Sequence, residues 1–460
     1  MQQLPVFEIT DQLKTSLSEH PIVILQAPPG AGKSTGLPLK LLQETWLQGK
    51  KILMLEPRRI AARNVALRLA EQLHEEIGEQ IGYRVRFENK VSAKTKLEIL
   101  TEGILTRMLQ QDNALEHVGL VIFDEFHERS LHADLAFTLC REIQSVLRDD
   151  LRILIMSATL DGKELSSQLN DAPVIVSEGR QFPVTINYRE SDEKISIAEN
   201  VVKTIRIALN ETSGDILAFL PGSGDIHRAQ QMLEEQLTGI SVQALYGDLS
   251  FDKQQAALLP DKNGRRKVVL ATSIAETSLT IQGITTVVDS GYSRIPRFDH
   301  KSGFTKLETV PVSKDTADQR AGRAGRLGPG TCYRLWNAAK HLQLAEKRKP
   351  EILEADFAPT LLEIYHWGES NVEQLKWITP PPPASVSLAK KVLIALQAIE
   401  GNKITAEGKH LFSFPTHPRI AHLLHQSHKH QLTSLASDVA ALLEEKDPLS
   451  KMNEADISLR

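Results

Sequence analysis

Cysteine is scarce in this chain: among 460 residues there are two, Cys140 and Cys332. They have neither metal-site spacing nor the makings of a disulfide framework. A zinc-held or disulfide-stapled domain is therefore excluded, and a reducing, cytoplasmic setting is the expectation. Long apolar runs are missing as well. No stretch reaches the ~18 residues that a membrane-spanning helix needs. The segment Met1–Thr10 lacks the basic-then-apolar order of a signal peptide. Positive charge is not in excess either: 54 Lys and Arg stand against 58 Asp and Glu, for a formal net charge of −4. A protein that gripped nucleic acid by bulk charge would be basic, so any such grip here must come from local backbone and hydroxyl contacts. Beyond the stiff run Pro380–Pro383 there is no low-complexity tract, and no repeat of fixed period.

What is present is the composition of an ordinary folded protein, 41% hydrophobic and 24% charged. The length exceeds what one hydrophobic core supports, so two to four domains are expected. Short apolar runs rich in Ile, Val and Leu each end at a polar or glycine-rich cluster and precede a helical pattern. They are Ile22–Gln26, Lys51–Leu55, Leu120–Phe123 and Arg152–Met156, then Asp215–Leu220, Lys267–Leu270 and Thr285–Val288. Unbroken apolar runs suit strands buried on both faces of a parallel sheet. The fold class read from them is α/β, with two tandem doubly wound parallel-sheet units, whose ligands bind beyond the carboxyl ends of the strands. The expected boundaries are 1–178, 179–340, a winged-helix-like module over 341–410 and a helical segment over 411–460, with Val386–Ile399 as an amphipathic helix and Tyr188–Lys194 as a linker.

The run Ala27-Pro28-Pro29-Gly30-Ala31-Gly32-Lys33-Ser34-Thr35 follows the first such strand. Glycines let successive N–H groups turn toward phosphate oxygens, Lys33 supplies a point charge, and the Ser34 hydroxyl suits Mg²⁺. A helix starting here would add its positive end. Ala27 stands where the usual pattern has its first glycine, so that position must keep a negative φ. After Leu120–Phe123 come Asp124, Glu125, Phe126, His127, Glu128, Arg129 and Ser130. Asp124 suits the metal, and Glu125 suits the general base that polarises an attacking water. Ser157 and Thr159 close the next strand, where hydroxyls can sense the acidic box through His127. In the second unit, Gln319 to Arg326 reads QRAGRAGR. Three arginines at a spacing of three share one helix face and repel unless an anion sits among them, which is what a γ-phosphate between two domains provides.

Together these segments resemble the superfamily 2 helicases, and within them the DEAH-type RNA helicases. The likeness runs over most of residues 20–420 through APPGAGKST, LEPRRIAAR (Leu55–Arg63), TEG (Thr101–Gly103), DEFH, SAT, FLPGSGDI (Phe219–Ile226), ATSIAETSLTI (Ala271–Ile281) and QRAGRAGR. Phe126 replaces the family's usual alanine, which together with HERS is similar to a bacterial subgroup. The resemblance implies RecA-like units and an ATP hydrolase using ATP and Mg²⁺. It implies phosphate contacts from Gly30, Ala31, Gly32, Lys33, Ser34 and Thr35, metal held by Ser34 and Asp124, and catalysis by Lys33, Glu125, Gln319, Arg323 and Arg326. Arg68 would stack on the base opposite Leu258, where relatives have an aromatic residue. Thr280-Ile281-Gln282 stands for the ribose-side segment, and Ser278 would sense the γ-phosphate. His127, Ser157 and Thr159 would couple the sites. Arg58, Arg59, Thr101 and Thr272 would hold RNA through its backbone, and Tyr292–Leu307 would be a hairpin near the strand. The family's C-terminal oligonucleotide-binding barrel has no counterpart in the 460 residues.

The expected activity is therefore ATP-driven movement on, or remodelling of, single-stranded RNA, with no membrane and no metal other than Mg²⁺. A remodeller without processive unwinding, a DNA-tracking helicase and a nucleotide-gated RNA-binding scaffold are the alternatives. Glu125 and Gln319 speak against the scaffold.

Overall fold

The structure, a computed structural model, describes residues 4–158, 162–179, 182–277 and 279–445. It divides into two compact units, the first ending at Glu351 and the second starting at Ile352.

Among its described residues the first unit holds two large sheets and a two-stranded one. One contains β1 (Ile22–Gln26), β2 (Lys51–Glu56), β3 (Ile81–Val85), β4 (Glu88–Lys90), β5 (Leu97–Thr101), β6 (Val118–Phe123), β7 (Arg152–Ser157) and β8 (Val174–Val176). Their order is β4-β3-β5-β2-β6-β7-β1-β8. Every pairing is parallel except that of β3 with β4. All six residues of β6 are buried, as an apolar run covered on both faces requires. Because β2, β6, β7 and β1 are neighbours, the segments that follow them emerge side by side along one edge of this first lobe. Those segments carry Arg58, Asp124 and Glu125, and Lys33, with Ser157 at the end of β7 beside them.

The other sheet, in the second lobe, contains β9 (Val184–Tyr188), β10 (Asp215–Phe219), β11 (Ser241–Leu245), β12 (Lys267–Ala271), β13 (Ile284–Asp289) and β16 (Gly330–Arg334). It is parallel throughout, in the order β11-β12-β10-β13-β16-β9. The strands β14 (Tyr292–Asp299) and β15 (Phe304–Pro311) form a separate antiparallel hairpin, which takes in the expected Tyr292–Leu307. Residue Tyr188, expected to open a linker, instead closes the edge strand β9. Its sequence VTINY has no apolar run because an edge strand lacks a second covering neighbour, and none of its residues is fully buried.

Among its described residues the second unit is helical apart from a hairpin of β17 (Ile399–Glu400) and β18 (Lys403–Ile404). The expected helix over Val386–Ile399 runs from Pro383 to Ala395. Pro383 sits in the first turn, where its missing N–H breaks no bond. Gln397, with φ 55°, turns the chain out of the helix before Ile399 pairs with Ile404.

A candidate nucleotide site and the groove beside it

The phosphate loop is shaped by two glycines in the left-handed region, Gly30 (φ 86°) and Gly32 (φ 93°). Gly32 is required twice over, since a Cβ there would come within 2.7 Å of Leu4 Cδ1. That contact belongs to an N-terminal segment that backs the loop, with Val6 N–H donating to the Ala31 carbonyl at 3.1 Å. The expected helix at Lys33 is displaced. Residues 33–36 form turns, and the helix spans only Leu37–Leu41. Ser34, Thr35 and Gly36 are weak helix formers, and the N–H groups of Gly36 and Leu37 both donate to the Gly32 carbonyl. The helix thus starts four residues after Lys33, with the Gly36 and Leu37 amides already bonded within the chain. The Thr35 carbonyl accepts from Gln72 at 2.7 Å.

Lys33, Asp124 and Glu125 form a buried triad. Each is 4% exposed. Lys33 Nζ lies 3.0 Å from Glu125 Oε2 and 3.8 Å from Asp124 Oδ1. The Ser34 hydroxyl donates to Asp124 Oδ2, and the Glu125 N–H donates to Asp124 Oδ1 at 2.8 Å. Burial opposes every charge here. For Lys33 it is outweighed by Glu125 and Asp124, which hold the ammonium above its ordinary range. For Glu125 it is outweighed by Lys33 and His127, which keep the carboxyl below the usual carboxylate range. Asp124 remains raised, because desolvation exceeds the pull of Lys33. An ionised Glu125 has the state a general base needs.

The acidic box makes a strained turn, with Glu125 and Arg129 both at φ 48°, a region that non-glycine residues seldom occupy. Phe126 anchors it. The ring is 2% exposed and packs on Phe123 and Phe137, with centroids 5.9 and 5.2 Å away. This aromatic cluster accounts for a phenylalanine where the resemblance leads one to expect alanine. His127 Nδ1 lies 3.5 Å from both Glu125 Oε2 and Ser157 Oγ. Thr159 and Ser278 lie outside the described residues.

The arginine box departs from one shared helix face. The helix Lys314–Gly322 gives way to a 3-10 turn over Arg323–Gly325. Arg320 is fully buried and bonds Glu276 Oε1 at 2.6 Å and Asp289 Oδ1 at 2.7 Å. Those carboxylates neutralise it, so it serves the core and not an external anion. Arg320→Leu is expected to cost roughly 3–5 kcal/mol by stranding two buried carboxylates, and a thermal melt matching wild type would contradict this. Gln319 stands one residue earlier on the same helix, half-buried.

Arg323 and Arg326 behave differently. They donate to main-chain carbonyls: Arg323 to Leu279 at 2.8 Å and to Glu276, Arg326 to Leu279 at 3.1 Å. Their Nε atoms are buried without a partner. Burial, and then the neighbouring Arg326, drive the Arg323 guanidinium well below its ordinary range. Burial likewise holds Arg326 down to about 10. In both cases Glu125 of the other lobe supports the charge. Two shielded guanidinium groups whose charge Glu125 supports have the chemistry that suits a polyanion.

A cavity of about 590 Å³ lies between the lobes, lined by Arg58, Arg59, Arg63, Arg86, Asp248 and Thr272 among others. Arg59 is exposed to it. Arg58 is committed to protein: Nη1 donates to the carbonyls of Ser273 and Ile274 at 2.8 and 2.7 Å. Arg63 stacks on Phe251 of the second lobe, 3.8 Å from the ring centroid. Thr101 precedes the helix Glu102–Gln111 and lies outside this lining. Arg68 is exposed and pairs with Glu71 at 2.5 Å. Leu258 is a core residue, 7% exposed, beside Ile281, and its carbonyl accepts from Gln282 at 3.1 Å. Glu128, Thr277, Arg63 and Phe251 were missed from sequence, since each has a partner more than a hundred residues away and no local pattern marks it.

Among the described residues no helix is long and apolar enough to cross a membrane, and no three His, Cys, Asp or Glu are arranged to hold a metal. Asp124 and Ser34 offer one carboxylate and one hydroxyl, the hard oxygen donors that fit Mg²⁺ bound chiefly through substrate phosphates.

Comparison with known proteins agrees with this geometry. Residues 8–167 match the DEAD/DEAH box helicase family and residues 194–328 the helicase conserved C-terminal domain. The chain is 46% identical over 446 residues to ATP-dependent RNA helicase HrpB of Escherichia coli (strain K12), covering 97% of this chain and 55% of that protein. It superposes on a crystal structure of the Escherichia coli DEAH/RHA helicase HrpB with a TM-score of 0.92 at 44% identity, over 100% of this chain and 60% of that one. A second structure, of the E. coli DExH-box NTPase HrpB, gives 0.88 at 45% identity, over 100% and 56%. The chain thus spans little more than half the length of these relatives. Its two lobes are RecA-like; the first carries the DEAD/DEAH box helicase domain and the second the helicase conserved C-terminal domain.

Proposed function

We propose that this chain is the motor of an ATP-dependent RNA helicase, coupling ATP hydrolysis to movement on, or remodelling of, single-stranded RNA. One observation carries the reading. Arg323 of the second lobe is buried and Arg326 half-buried, their Nε atoms are shielded and unpartnered, and Glu125 of the first lobe, beside Lys33, supports both charges. Cations from one lobe and a phosphate-loop lysine from the other make a cleft whose charge balance a nucleoside triphosphate completes.

In this reading Gly30, Ala31, Gly32, Lys33, Ser34 and Thr35 wrap the phosphates. Ser34 and Asp124 hold Mg²⁺, which when bound neutralises charge on the phosphate oxygens. Glu125 takes the proton of the water that Gln319 orients. Arg323 and Arg326 stabilise charge on the transferred group. His127 and Ser157 link the acidic box to the neighbouring strand. Arg59 and Thr272 grip the RNA backbone from the cavity, with Thr101 along the same track, and Arg58 joins the lobes. The net charge of −4 suits a track that must be released at each step. The buried, unbonded Cys140 and Cys332 suit a reducing cytoplasm.

The test is ATP turnover with single-stranded RNA or DNA of equal length across a salt series. RNA is expected to stimulate more than DNA, through the 2′-hydroxyl, and stimulation should fade with salt. Absence of stimulation by either polymer at low salt would refute the reading.

A further inference from the structure

We propose that Glu128 is a positioning residue that transmits occupancy of the RNA groove to the arginines facing the nucleotide, an inference that rests on the motor reading above. Its carboxylate is shared between the lobes. From the first lobe, Arg58 Nη2 approaches Glu128 Oε1 at 3.2 Å and Oε2 at 3.3 Å. From the second, the Thr277 hydroxyl donates to Oε1. Thr277 is 3% exposed, so this bond is shielded from water and gains strength accordingly.

The loop that receives Glu128 is what gives the contact its reach. Thr272, at the start of the loop, lines the groove. The Ser273 and Ile274 carbonyls accept from Arg58. The Glu276 and Leu279 carbonyls accept from Arg323, and Leu279 also accepts from Arg326. One loop thus holds the groove-side arginine near one end and both phosphate-side arginines near the other, and Glu128 bonds it between them. On its own side, Glu128 is tied to the general base. It closes the 3-10 turn Phe126–Glu128, and its N–H donates to the Glu125 carbonyl at 2.9 Å. Phe126 pins that turn in the aromatic cluster, so the turn moves as a unit. A strand displacing Arg58 or Thr272 therefore shifts the loop carbonyls that aim Arg323 and Arg326, with the Glu128–Thr277 bond keeping that loop in register with Glu125. Its tie to Glu125 is through the main chain, and among the described residues its carboxylate bonds Arg58 and Thr277 and not Lys33, Arg323 or Arg326, so hydrolysis without RNA does not depend on the carboxylate.

The test uses the full chain, with three measurements: turnover at saturating ATP without RNA, turnover with saturating oligo-uridine, and affinity for fluorescein-labelled oligo-uridine by anisotropy. Glu128→Ala is expected to lower RNA stimulation roughly tenfold, within the usual range of coupling between sites, leaving basal turnover and RNA affinity near wild type. Thr277→Val, which removes only the hydroxyl, should reproduce the loss and guards against a folding defect in the first variant. The double variant should be no worse than Glu128→Ala alone, because that variant already lacks the bond that Thr277→Val removes, along with the Arg58 contact. Wild-type stimulation in both single variants overturns the inference. So does a basal loss as large as the stimulated one, a matching loss of RNA affinity, or multiplicative effects in the double variant. Wild-type protein that RNA does not stimulate at all refutes the motor reading itself, and this inference with it.

Discussion

Lys33→Ala is expected to abolish ATP turnover and to weaken nucleotide binding to the point where a fluorescent ATP analogue no longer titrates. The reason lies in what surrounds the ammonium. Lys33 is the cation placed between Asp124 and Glu125, at 3.8 and 3.0 Å, in a pocket that excludes water. Removing it deletes the phosphate contact and leaves two adjacent carboxylates buried without that cation, a charge arrangement that repels a polyphosphate. The same logic fixes a pH dependence. With Lys33 present, Glu125 is held below the usual carboxylate range, so its ion pair stabilises the fold above that range and is lost only on strong acidification. Without Lys33, burial dominates and both carboxyl pKa values rise, so the folded state takes up protons more readily than the unfolded one. The melting-temperature gap between wild type and Lys33→Ala should therefore be wider at pH 8 than at pH 5. Retained turnover would remove Lys33 from the phosphate site, and a gap that widens on acidification would contradict the triad electrostatics.

Arg326→Ala is expected to lower turnover roughly 10³-fold or more while leaving ATP affinity within a few-fold, as for an arginine that acts chiefly on transition-state charge. Arg326 is the cleaner of the two positions. Arg323 is almost fully buried and props the loop through Glu276 and Leu279, so its loss would mix catalysis with folding. Arg326 makes fewer main-chain contacts and keeps its Nε without a partner. Arg326→Lys should recover little, because an ammonium lacks the planar fork of donors. Wild-type turnover by Arg326→Ala would remove the finger assignment and with it the role of the second lobe in hydrolysis.

Strand positions were legible where burial is two-sided. Runs such as VGLVIF and IVILQ suit strands with a neighbour on each side, and the structure places the first inside its sheet and the second one strand in from the edge. The β9 edge and its neighbour β16 were not legible: both mix polar and apolar residues, and their pairing with each other comes from tertiary contact. The phosphate loop, the acidic box and the arginine box could be read because each is contiguous in the chain. The helix expected at Lys33 was misplaced because a local pattern does not show how the Gly32 carbonyl draws the next amides into turns.

The arginine box shows best where local reading stops. Three arginines at equal spacing look equivalent in sequence, yet Arg320 is neutralised by Glu276 and Asp289 while, among the described residues, Arg323 and Arg326 pair with no carboxylate at bonding distance. Chemical type and order along the chain thus settled which groups are available: a lysine loop, paired carboxylates, clustered arginines. Which of them meet, and which are spent on the core, was decided only by the tertiary fold, because a charge buried in low dielectric takes its character from whichever partner the packing brings within a few ångströms.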